Sequence, residues 1–451
     1  MAQLTENGEA ISVEGQIMDH ALASRLDPFA VLDAGAAAPI HLAYYFSTFP
    51  ALTTTFAQHQ VRATEKLGLN FLLLANRRPG PHDFHPQDQD LKQRTFYLTQ
   101  VRPWTYLKAN LRAWGRWPRR YAATLALAFR LRDNPSRPRL INFAHLAGAA
   151  VLAEYLVASR VPHVHVHFAY GAAAVALFLE ALCGLPYSLS IHGSDVLLDN
   201  PLMEPKLRGA QFIISNCHFH VDNLRRRFPS LARQRFYVVP GGLDLQAPPW
   251  AAPKPPATNL PLRILHIGRL VPVKTQQVLI LALARLRNQG GDFQCRIVGD
   301  GPRRDELQKL ILSLHLQDRV QLLGARYEGE VARLYDWSQV LVLSSRSEGT
   351  PMVIIEAMAK ARPVIAPRLT AIPEMVAEGG TGYLFTSGDA ADLADQLSRL
   401  LARPADLVRL GLEARRQAEN HFDLRRNARN LMNVLARELP WVPGDCGVCA
   451  A

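Results

Sequence analysis

The stretch SSRSEGTPMVIIEAMAKARPVIA, residues 344–366, links two apolar runs through a Thr-Pro pair. The run VLVLSS that leads into it, residues 340–345, has the length and β-branched content of a buried strand, and MVIIEAMA is typical of a buried helix. We expect Thr350 to cap this helix and Pro351 to be its first residue, because Thr is favoured at the cap and Pro at the first helical position. With the strand PVIAP that follows, the stretch predicts one β–α–β unit of a parallel sheet.

The same alternation of short β-rich runs and longer helical runs fills most of the chain. It stops at APPWAAPKPPATNLP, residues 247–261, whose six prolines cannot continue a helix or a central strand. The pattern therefore predicts an α/β fold of two Rossmann-like, doubly wound domains that face a cleft, where ligands of open α/β sheets bind. The predicted divisions are a flexible N-terminal segment (1–36), an N-terminal domain (37–246), a Pro-rich linker (247–261), a C-terminal domain (262–418), a C-terminal helix that packs back on the N-terminal domain (419–440) and a tail (441–451).

Composition limits the classes of protein that this chain can be. Its 451 residues, 48% of them hydrophobic and 20% charged, suit two or three globular domains. A net charge of +12 favours anionic partners, and five cysteines are too few for a disulfide framework in a chain this long. Glu154 and Glu180 interrupt the two most apolar runs. We therefore expect a cytoplasmic protein, one able to bind peripherally to the cytoplasmic face of a membrane.

Two glutamates flank the start of the predicted helix. Its first N–H groups, those of Met352 and Val353, have no partner within the helix and point toward the cleft, which predicts a phosphate site. Glu356, in the second turn, could then accept hydrogen bonds from a ribose, and Glu348, on the preceding loop, could hold the hydroxyls of a second sugar. Both parts of a nucleotide sugar are thereby accounted for. Glutamate is common, however, and the spacing alone more often marks a stabilised helix start.

Two cations strengthen the prediction of a phosphate site. HIGRLVPVKTQQVLI, residues 266–280, places Arg269 and Lys274 on the loop after the first strand of the same domain, beside the fourth strand in a doubly wound order. VGDGP, residues 298–302, adds a tight turn through Gly299 and Gly301. Read separately, Arg269 and Lys274 are solvated loop charges.

The ordered motifs together resemble a known family. GRLVPVK, IVGDGP, SRSEGTPMVIIEAMAKARPVIA and GGTGYLF look like the donor domain of retaining GT-B glycosyltransferases of family 4, over about 120 residues. In the N-terminal half, YYFSTFPALTTTF, HVHFAYGAA, YSLSIHGSDV and VVPGGLDL are similar to the branch that assembles bacterial exopolysaccharides, colanic acid among them. The chain departs from the family at Thr275 and Ala361, where glycine is usual, and at Gly241, where asparagine is frequent.

The resemblance implies roles for matching positions. Arg269 and Lys274 would neutralise the diphosphate, Glu356 would bind the ribose and Glu348 the transferred sugar. His192, across the cleft, would contact that sugar and form with Glu348 the catalytic pair; read alone, it is a strand-end residue bonded to its own loop. No metal and no cofactor are expected beyond the nucleotide-diphosphate sugar donor. The expected donor-binding residues are Arg269, Lys274, Gly299, Gly301, Glu348, Thr350, Met352, Val353 and Glu356.

The acceptor is expected to be a saccharide or a polyprenyl-linked glycan, bound by the N-terminal domain. HVHVH places His163, His165 and His167 on one face of a strand, which suggests a metal site, but the sequence shows no further ligand set. We expect this strand to enter the cleft, with His167 lining the acceptor pocket. The expected acceptor-side residues are Thr53, Thr55, His167 and Asp195.

A basic, aromatic tract lies outside these motifs. Residues 101–140 contain ten Lys or Arg against one acid, Asp133, with Trp104, Trp114 and Trp117 between them. Such a tract suits an anionic lipid surface or nucleic acid, or is an ordinary solvated helix face. We expect lipid and not nucleic acid, because no nucleic-acid-binding module is visible and the enzymes that the chain resembles act on lipid-linked sugars.

The resemblance predicts sugar transfer from a nucleotide to a growing saccharide. A nucleotide-sugar epimerase on the same fold would need no acceptor, so product analysis with and without acceptor separates the two. A catalytically silent nucleotide-sugar-binding protein would release no nucleotide from any donor. Glu348, Glu356, Arg269, Lys274 and His192 are all present, which favours an enzyme.

Overall fold

The computed structural model of the chain describes residues 39–81, 83–131, 140–251, 253–259 and 261–443; for Thr53 and Glu328 it describes the backbone only. The expectations for 1–36 and for most of the tail, 444–451, lie outside these residues.

The first half of the described chain forms a parallel sheet with strand order β3-β2-β1-β4-β5-β6-β7. Its order reverses between β1 and β4, the position at which doubly wound sheets open a crevice. The strands are β1 (Leu42–Thr48), β2 (Phe71–Arg77), β3 (Thr95–Tyr97), β4 (Val164–His167), β5 (Tyr187–Ile191), β6 (Ile213–Ser215) and β7 (Phe236–Val238).

The second half forms a parallel sheet with order β10-β9-β8-β11-β12-β13, which reverses between β8 and β11. The predicted pair of doubly wound sheets is thus confirmed. The predicted strand at 340–345 is shorter, ending at Val342, and its last residues form the loop that leads to Glu348. The strands are β8 (Leu262–Ile267), β9 (Phe293–Val298), β10 (Val320–Gly324), β11 (Val340–Val342), β12 (Val364–Pro367) and β13 (Gly382–Phe385).

Helices cover both faces of each sheet. In the first half they are α1 (Thr55–Lys66), α2 (Gln89–Arg94), α3 (Pro103–Arg116), α4 (Pro118–Arg130), α5 (Leu140–Ala158), α6 (Gly171–Cys183), α7 (Gly193–Leu197), α8 (Met203–Gly209) and α9 (His218–Arg227). In the second half they are α10 (Gln276–Asn288), α11 (Arg304–Ser313), α12 (Glu328–Trp337), α13 (Met352–Ala359), α14 (Ile372–Met375), α15 (Ala390–Ala402), α16 (Pro404–His421) and α17 (Leu424–Glu438).

Strand β1 shows how one sheet supplies two cores. Ala43 and Tyr45 face the layer formed by α3 to α6, whereas Leu42, Tyr44 and Phe46 face the layer that contains α1 and α17. All five side chains are buried. A strand covered on both sides reads as a continuous apolar run, which is why the sequence predicted a parallel sheet here.

The C-terminal end of the chain returns to the first half. Helix α16 runs to His421, past the predicted boundary at 418, and α17 follows it and packs against α1. The described part of the tail is also attached: the Trp441 indole N–H donates to the His41 carbonyl at 2.9 Å, and Val442 is buried. These contacts bridge the two halves without a strand crossing between the sheets.

Helix α5 is long and apolar enough to span a membrane despite Glu154, so the expectation that Glu154 would exclude it was wrong. Half of its most apolar stretch is buried, and it packs between α3, α4 and α6. Glu154 forms an ion pair with Arg112 of α3. These contacts are those of a core helix of the N-terminal domain.

Candidate donor and acceptor cleft

A cavity of about 330 Å³ lies between the two halves, beyond the carboxyl ends of both sheets. Phe56, Phe168 and His192 line it from the N-terminal half, and Glu348 and Met352 line it from the C-terminal half. Both walls therefore come from the loops and helix starts at which open α/β sheets bind ligands.

The loops after β8 and β11 are hydrogen-bonded to one another. The Thr275 hydroxyl donates to the Ser344 carbonyl, and the Ser344 hydroxyl donates to the Lys274 carbonyl at 3.0 Å. Arg346 N–H donates to the Val273 carbonyl at 2.9 Å. These bonds fix the cation loop against the glutamate loop, because β8 and β11 are neighbours in the sheet.

Lys274 and Glu348 form an ion pair at the edge of the cavity. Their Nζ and Oε1 atoms are 2.5 Å apart, and the Ser345 hydroxyl donates to the same Oε1 at 2.6 Å. Glu348 is 7% exposed, so its charge depends on these partners. Arg269, on the same loop as Lys274, has an exposed side chain, and its carbonyl accepts a hydrogen bond from Gln276.

Gly299 and Gly301 lie behind the cation loop. A Cβ on Gly299 would lie 2.0 Å from the Gly268 carbonyl oxygen, and one on Gly301 would lie 2.5 Å from that of Leu270. Both have positive φ, 134° and 155°. Only glycine permits this backbone contact, so the two residues support the loop that carries Arg269 without lining the cavity described above.

The start of helix α13 differs from the prediction. Pro351, not Thr350, occupies the N-cap position, and Met352 is the first helical residue. The Thr350 hydroxyl instead accepts a hydrogen bond at 2.5 Å from the Asn216 amide of the N-terminal half. The N–H groups of Met352 and Val353 still precede the first intrahelical bonds and remain the positive end of the helix dipole.

Glu356 lies in the second turn of α13, where the sequence predicts it, and is partly exposed. Its Oε2 accepts a hydrogen bond from the Tyr335 hydroxyl at 2.8 Å. Burial, together with the neighbouring Glu356 charge, raises the pKa of Tyr335 well above its usual value, so this hydroxyl remains a donor. Tyr335 thus orients the carboxylate.

His192 follows strand β5 and lines the cavity from the other side. Its ring packs on Phe168 and Phe56, at centroid distances of 4.4 and 4.8 Å. Burial, with a smaller effect of nearby His220, lowers the pKa of His192 to about 3. Neither ring nitrogen hydrogen-bonds to another described residue, so the neutral ring retains a donor and an acceptor.

Asp195 is fully buried and supports the backbone of His192. Its carboxylate accepts the N–H groups of His192 and Ala169 at 2.8 and 2.9 Å. Asn200 donates to the same carboxylate at 3.4 Å and accepts from buried Lys206 at 2.7 Å. Asp195, expected on the acceptor side, therefore lies beneath the wall of the cavity and does not line it.

The three strand histidines are also buried. His163 and His165 share the Ser188 hydroxyl, and His165 bonds to Ser190 as well, at distances of 2.7 to 2.8 Å. His167 is 0% exposed and stacks on the His192 ring at 5.9 Å. The prediction that His167 lines the pocket was wrong, because the strand ends one layer below the cavity wall. Within the described ranges, no three His, Cys, Asp or Glu residues are grouped to hold a metal ion.

The remaining acceptor-side residues lie before and at the start of α1. Thr55, the first residue of this helix, is exposed and lines the cavity. Thr53 belongs to the short 3-10 helix Leu52–Thr54, and its side chain is outside the description.

Contacts across the cleft were missed by the sequence reasoning. A Cβ on Gly193 would lie 2.4 Å from the Cα of Gly349, so the two backbones touch. The Glu374 carboxylate accepts the N–H groups of His218 and Phe219, the first residues of α9, at 2.8 and 2.6 Å. The glycines in HGSD and SEGTP were the only sequence signal for the close backbone contact. No feature of the sequence around Glu374 indicates that it caps a helix of the other half.

The two doubly wound sheets and the cleft between them define the class: the chain has the GT-B fold. The structure of Anabaena HepE in complex with UDP superposes with a TM-score of 0.64 at 17% identity, over 88% of this chain and 100% of that one. At that identity the likeness concerns the fold.

The C-terminal half matches a known family model. Residues 253–417 match the model of glycosyl transferases group 1. Similar curated proteins include the amylovoran biosynthesis glycosyltransferase AmsK of Erwinia amylovora, 35% identical over 40% of this chain and 46% of that protein. The putative colanic acid biosynthesis glycosyltransferase WcaL of Escherichia coli is 32% identical over 45% of this chain and 51% of that protein. The chain spans about half the length of these relatives.

Proposed function

We propose that this protein is a retaining glycosyltransferase that moves a sugar from a nucleotide-diphosphate donor to a saccharide or lipid-linked saccharide during synthesis of an exopolysaccharide or another cell-surface glycan. The observation that carries the proposal is a cavity between the halves with the start of α13 and Glu348 on one wall and a neutral histidine on the other. The loop that holds Arg269 and Lys274 adjoins the first wall through the ion pair of Lys274 with Glu348. The names of the relatives AmsK and WcaL support the pathway class.

Arg269, Lys274 and the N–H groups at the start of α13 are proposed to bind the diphosphate. As the bond from the anomeric carbon to phosphate breaks, negative charge grows on the leaving group. Fixed positive groups then stabilise the transition state more than the ground state. The hydrogen bonds between the β8 and β11 loops hold these groups in place before the donor binds. The UDP complex of HepE shows that one protein of this fold binds a nucleoside diphosphate.

Glu356 and Glu348 are proposed to bind the two sugars of the donor. Glu356, oriented by Tyr335, accepts hydrogen bonds from the ribose, and Glu348 holds hydroxyls of the transferred sugar. We do not assign Glu348 as a covalent nucleophile, because one of its carboxylate oxygens already accepts bonds from Lys274 and Ser345. Acceptor attack on the face from which the phosphate departs, with that phosphate taking the acceptor proton, retains the anomeric configuration without a nucleophile from the protein.

His192 is proposed to hydrogen-bond to the transferred sugar from the opposite wall. With a pKa near 3, its ring is neutral at physiological pH and adds no positive charge that would compete with the donor cations. Asp195 is proposed to act only by positioning His192, since its carboxylate is fully buried.

The test is nucleotide release from a panel of nucleotide sugars, with and without saccharide acceptors, followed by the anomeric configuration of the product. We expect release that depends on the acceptor, a retained configuration, and no loss of turnover in chelator. Interconversion of the donor sugar without acceptor would establish an epimerase instead. Binding of donor without any turnover across the panel would establish a silent binding protein, and activity restored only by Mg²⁺ or Mn²⁺ would contradict the proposed diphosphate site.

A further inference from the structure

The hairpin of helices α3 and α4, residues 103–130, exposes apolar side chains that are not packed in the hydrophobic core. Of the sixteen large apolar side chains exposed in the described residues, seven lie between 104 and 140. Concentration of this kind marks a surface that contacts something other than water. The seven are Trp104, Leu107, Leu111, Trp114, Leu125, Phe129 and Leu140.

The exposed apolar residues of α3 form a stripe. Trp104, Leu107, Leu111 and Trp114 recur at intervals of three and four residues, so they share one face of the helix. The buried residues of α3 include Ala109 and Ala113, which lie on the side away from that stripe. The helix therefore has a small apolar face packed on α5 and a large apolar face directed to solvent.

The hairpin that carries this stripe is basic, and Arg112 of α3 pairs with Glu154 of α5. Residues 101–131 contain seven Lys or Arg and no Asp or Glu. The side chains of Lys108, Arg116, Arg119 and Arg130 are all exposed. A helical hairpin with tryptophan and leucine exposed on one face and exposed cations on both helices suits the plane of an anionic bilayer, where the rings enter the interface and the cations meet phosphate headgroups.

The surface also reaches the end of the domain where the cleft opens. Tyr106, near the start of α3, donates to the Leu98 carbonyl just beyond the carboxyl end of β3. Near the start of α5, His145 lies beside Gly171, which follows the carboxyl end of β4. Because the carboxyl ends of the strands face the cavity, Trp104 and Leu140 are on the same side of the domain as the cleft.

We infer that the α3–α4 hairpin docks the protein on anionic phospholipid, with its apolar stripe in the interface and its cleft beside the bilayer surface. The docking rests on the exposed stripe and its cations alone. The further consequence, that a lipid-linked acceptor can present its sugar to the cleft from that surface, rests on the proposed function.

Co-sedimentation of the full chain with mixed phosphatidylglycerol–phosphatidylcholine vesicles tests the docking, with pure phosphatidylcholine vesicles as the neutral comparison. Replacing Arg116, Arg119 and Arg130 by Gln should weaken binding to anionic vesicles about 100-fold, since each such cation near the surface contributes about a factor of five. The matched control replaces Arg225, Arg226 and Arg227 of α9 by Gln. These arginines are also exposed, and their replacement removes the same charge. They lie on α9, which packs against α7 and β6. The control should bind as the parent does.

A second pair of variants tests the apolar stripe. Changing Trp104 and Leu111 to Ser should abolish the binding that remains at about 1 M salt, where the Debye length is about 3 Å and charge attraction is screened. The control changes Leu281 and Leu312, exposed in the C-terminal half, to Ser. Circular dichroism should show every variant folded, because all of these side chains are exposed.

Equal binding to neutral and anionic vesicles, or no binding to either, would overturn the inference. So would an equal loss in the two arginine variants, which would indicate net charge and not a surface. A dimer in solution that the Trp104 and Leu111 changes dissociate would identify a second copy as the occupant, and RNA binding through the three arginines without vesicle binding would identify nucleic acid. The rate of sugar transfer to a soluble acceptor should be the same in these variants as in the parent chain. If the parent chain transfers no sugar, the proposed function is contradicted but the docking result still stands.

Discussion

The two walls of the cleft use opposite electrostatics. The C-terminal wall presents Glu348, paired with Lys274 of the loop behind it, and the positive end of α13. The N-terminal wall presents His192, made neutral by burial, among phenylalanine rings. A diphosphate needs fixed charge, but a sugar needs hydrogen bonds and flat apolar surfaces. The proposed function therefore assigns the diphosphate to the charged C-terminal side and a hydrogen bond to the transferred sugar to the neutral N-terminal wall.

The largest effect is expected from removal of a cation on the charged wall. Arg269→Ala should lower the rate of sugar transfer about 10²- to 10³-fold, the usual result of losing one group that stabilises transition-state charge. Because Arg269 is exposed, the thermal unfolding midpoint should not move. Arg285→Ala, at the far end of helix α10, is the matched control, and steady-state kinetics of both variants is the measurement. Equal activity in the two would remove Arg269 from the diphosphate site.

The buried histidines of the N-terminal half should make the fold sensitive to acid. Burial lowers the pKa of His163, His165 and His192 to about 3 and that of His220 to about 4, while unfolded histidine titrates near 6.5. Below pH 6.5 these histidines are therefore protonated in the unfolded chain but stay neutral in the folded protein, so the free energy of unfolding falls as the pH falls. Between pH 6.5 and pH 5, each such histidine lowers the free energy of unfolding by up to about 2 kcal/mol.

One buried acid opposes this trend. Burial raises the pKa of Asp195 to about 7, so the fold takes up a proton there before the unfolded chain does. Four histidines outweigh one aspartate, and we expect the denaturant midpoint to be lower at pH 5 than at pH 7. Burial also lowers the pKa of His266 in β8 to about 4, but more such histidines lie in and beside β4 and β5. Hydrogen exchange should therefore show β4 and β5 losing protection before β8 and β11. A midpoint unchanged at pH 5, or earlier exchange in the C-terminal sheet, would contradict the assignment of acid sensitivity to the N-terminal wall.

Glu356 tests whether the charged wall also reads the nucleoside. Glu356→Ala should weaken donor binding about 10- to 100-fold, since hydrogen bonds to a charged group contribute about 1.5–3 kcal/mol. Tyr335→Phe, which removes only the hydroxyl that orients the carboxylate, should have a smaller effect on the same calorimetric titration. Unchanged donor affinity in the Glu356 variant would refute the ribose assignment.

His192 should show the reverse behaviour. His192→Ala should slow transfer about 2- to 10-fold, the effect of one neutral hydrogen bond, and leave nucleoside diphosphate affinity unchanged. His192→Gln retains a donor and an acceptor and should recover part of the rate. Loss of diphosphate affinity in the alanine variant would mean that the two walls do not divide the ligand as proposed.

The smallest effect concerns two residues whose backbone conformation favours glycine. Ala361 and Thr275 both adopt left-handed backbone, with φ of 55° and 41°. Ala361→Gly should raise the free energy of unfolding by about 0.5–1 kcal/mol through relief of this strain. Thr275→Gly should gain less, because it loses the hydrogen bond to Ser344. Chemical denaturation of both variants is the measurement, and a loss of stability in Ala361→Gly would show that the buried methyl group matters more.

The sequence by itself determined the two doubly wound sheets and the proximity of the loops after β8 and β11. The periods of its apolar runs separate strand from helix, and the reversal between β8 and β11 then places Lys274 beside Glu348 because their strands are neighbours. The positions of His167 and Asp195 were not predictable in this way. The sequence of a short strand and its loop is the same whether their side chains line a cavity or lie one layer beneath it. For His167, the stacking of its ring on Phe46 and His192 in the structure shows that it lies beneath.

Contacts between residues distant in sequence were decided by the tertiary structure. Thr350 is a residue type favoured at helix N-caps, yet its hydroxyl accepts a hydrogen bond from Asn216 instead. Glu374 caps helix α9, which lies more than a hundred residues away in the chain. Local propensity favours a cap by about 1 kcal/mol, which a partner from the opposite wall readily outweighs. The exposed stripe on α3 is a further example. The spacing of its apolar residues is visible in the sequence, but the position of α5 in the structure determines which face of α3 is buried.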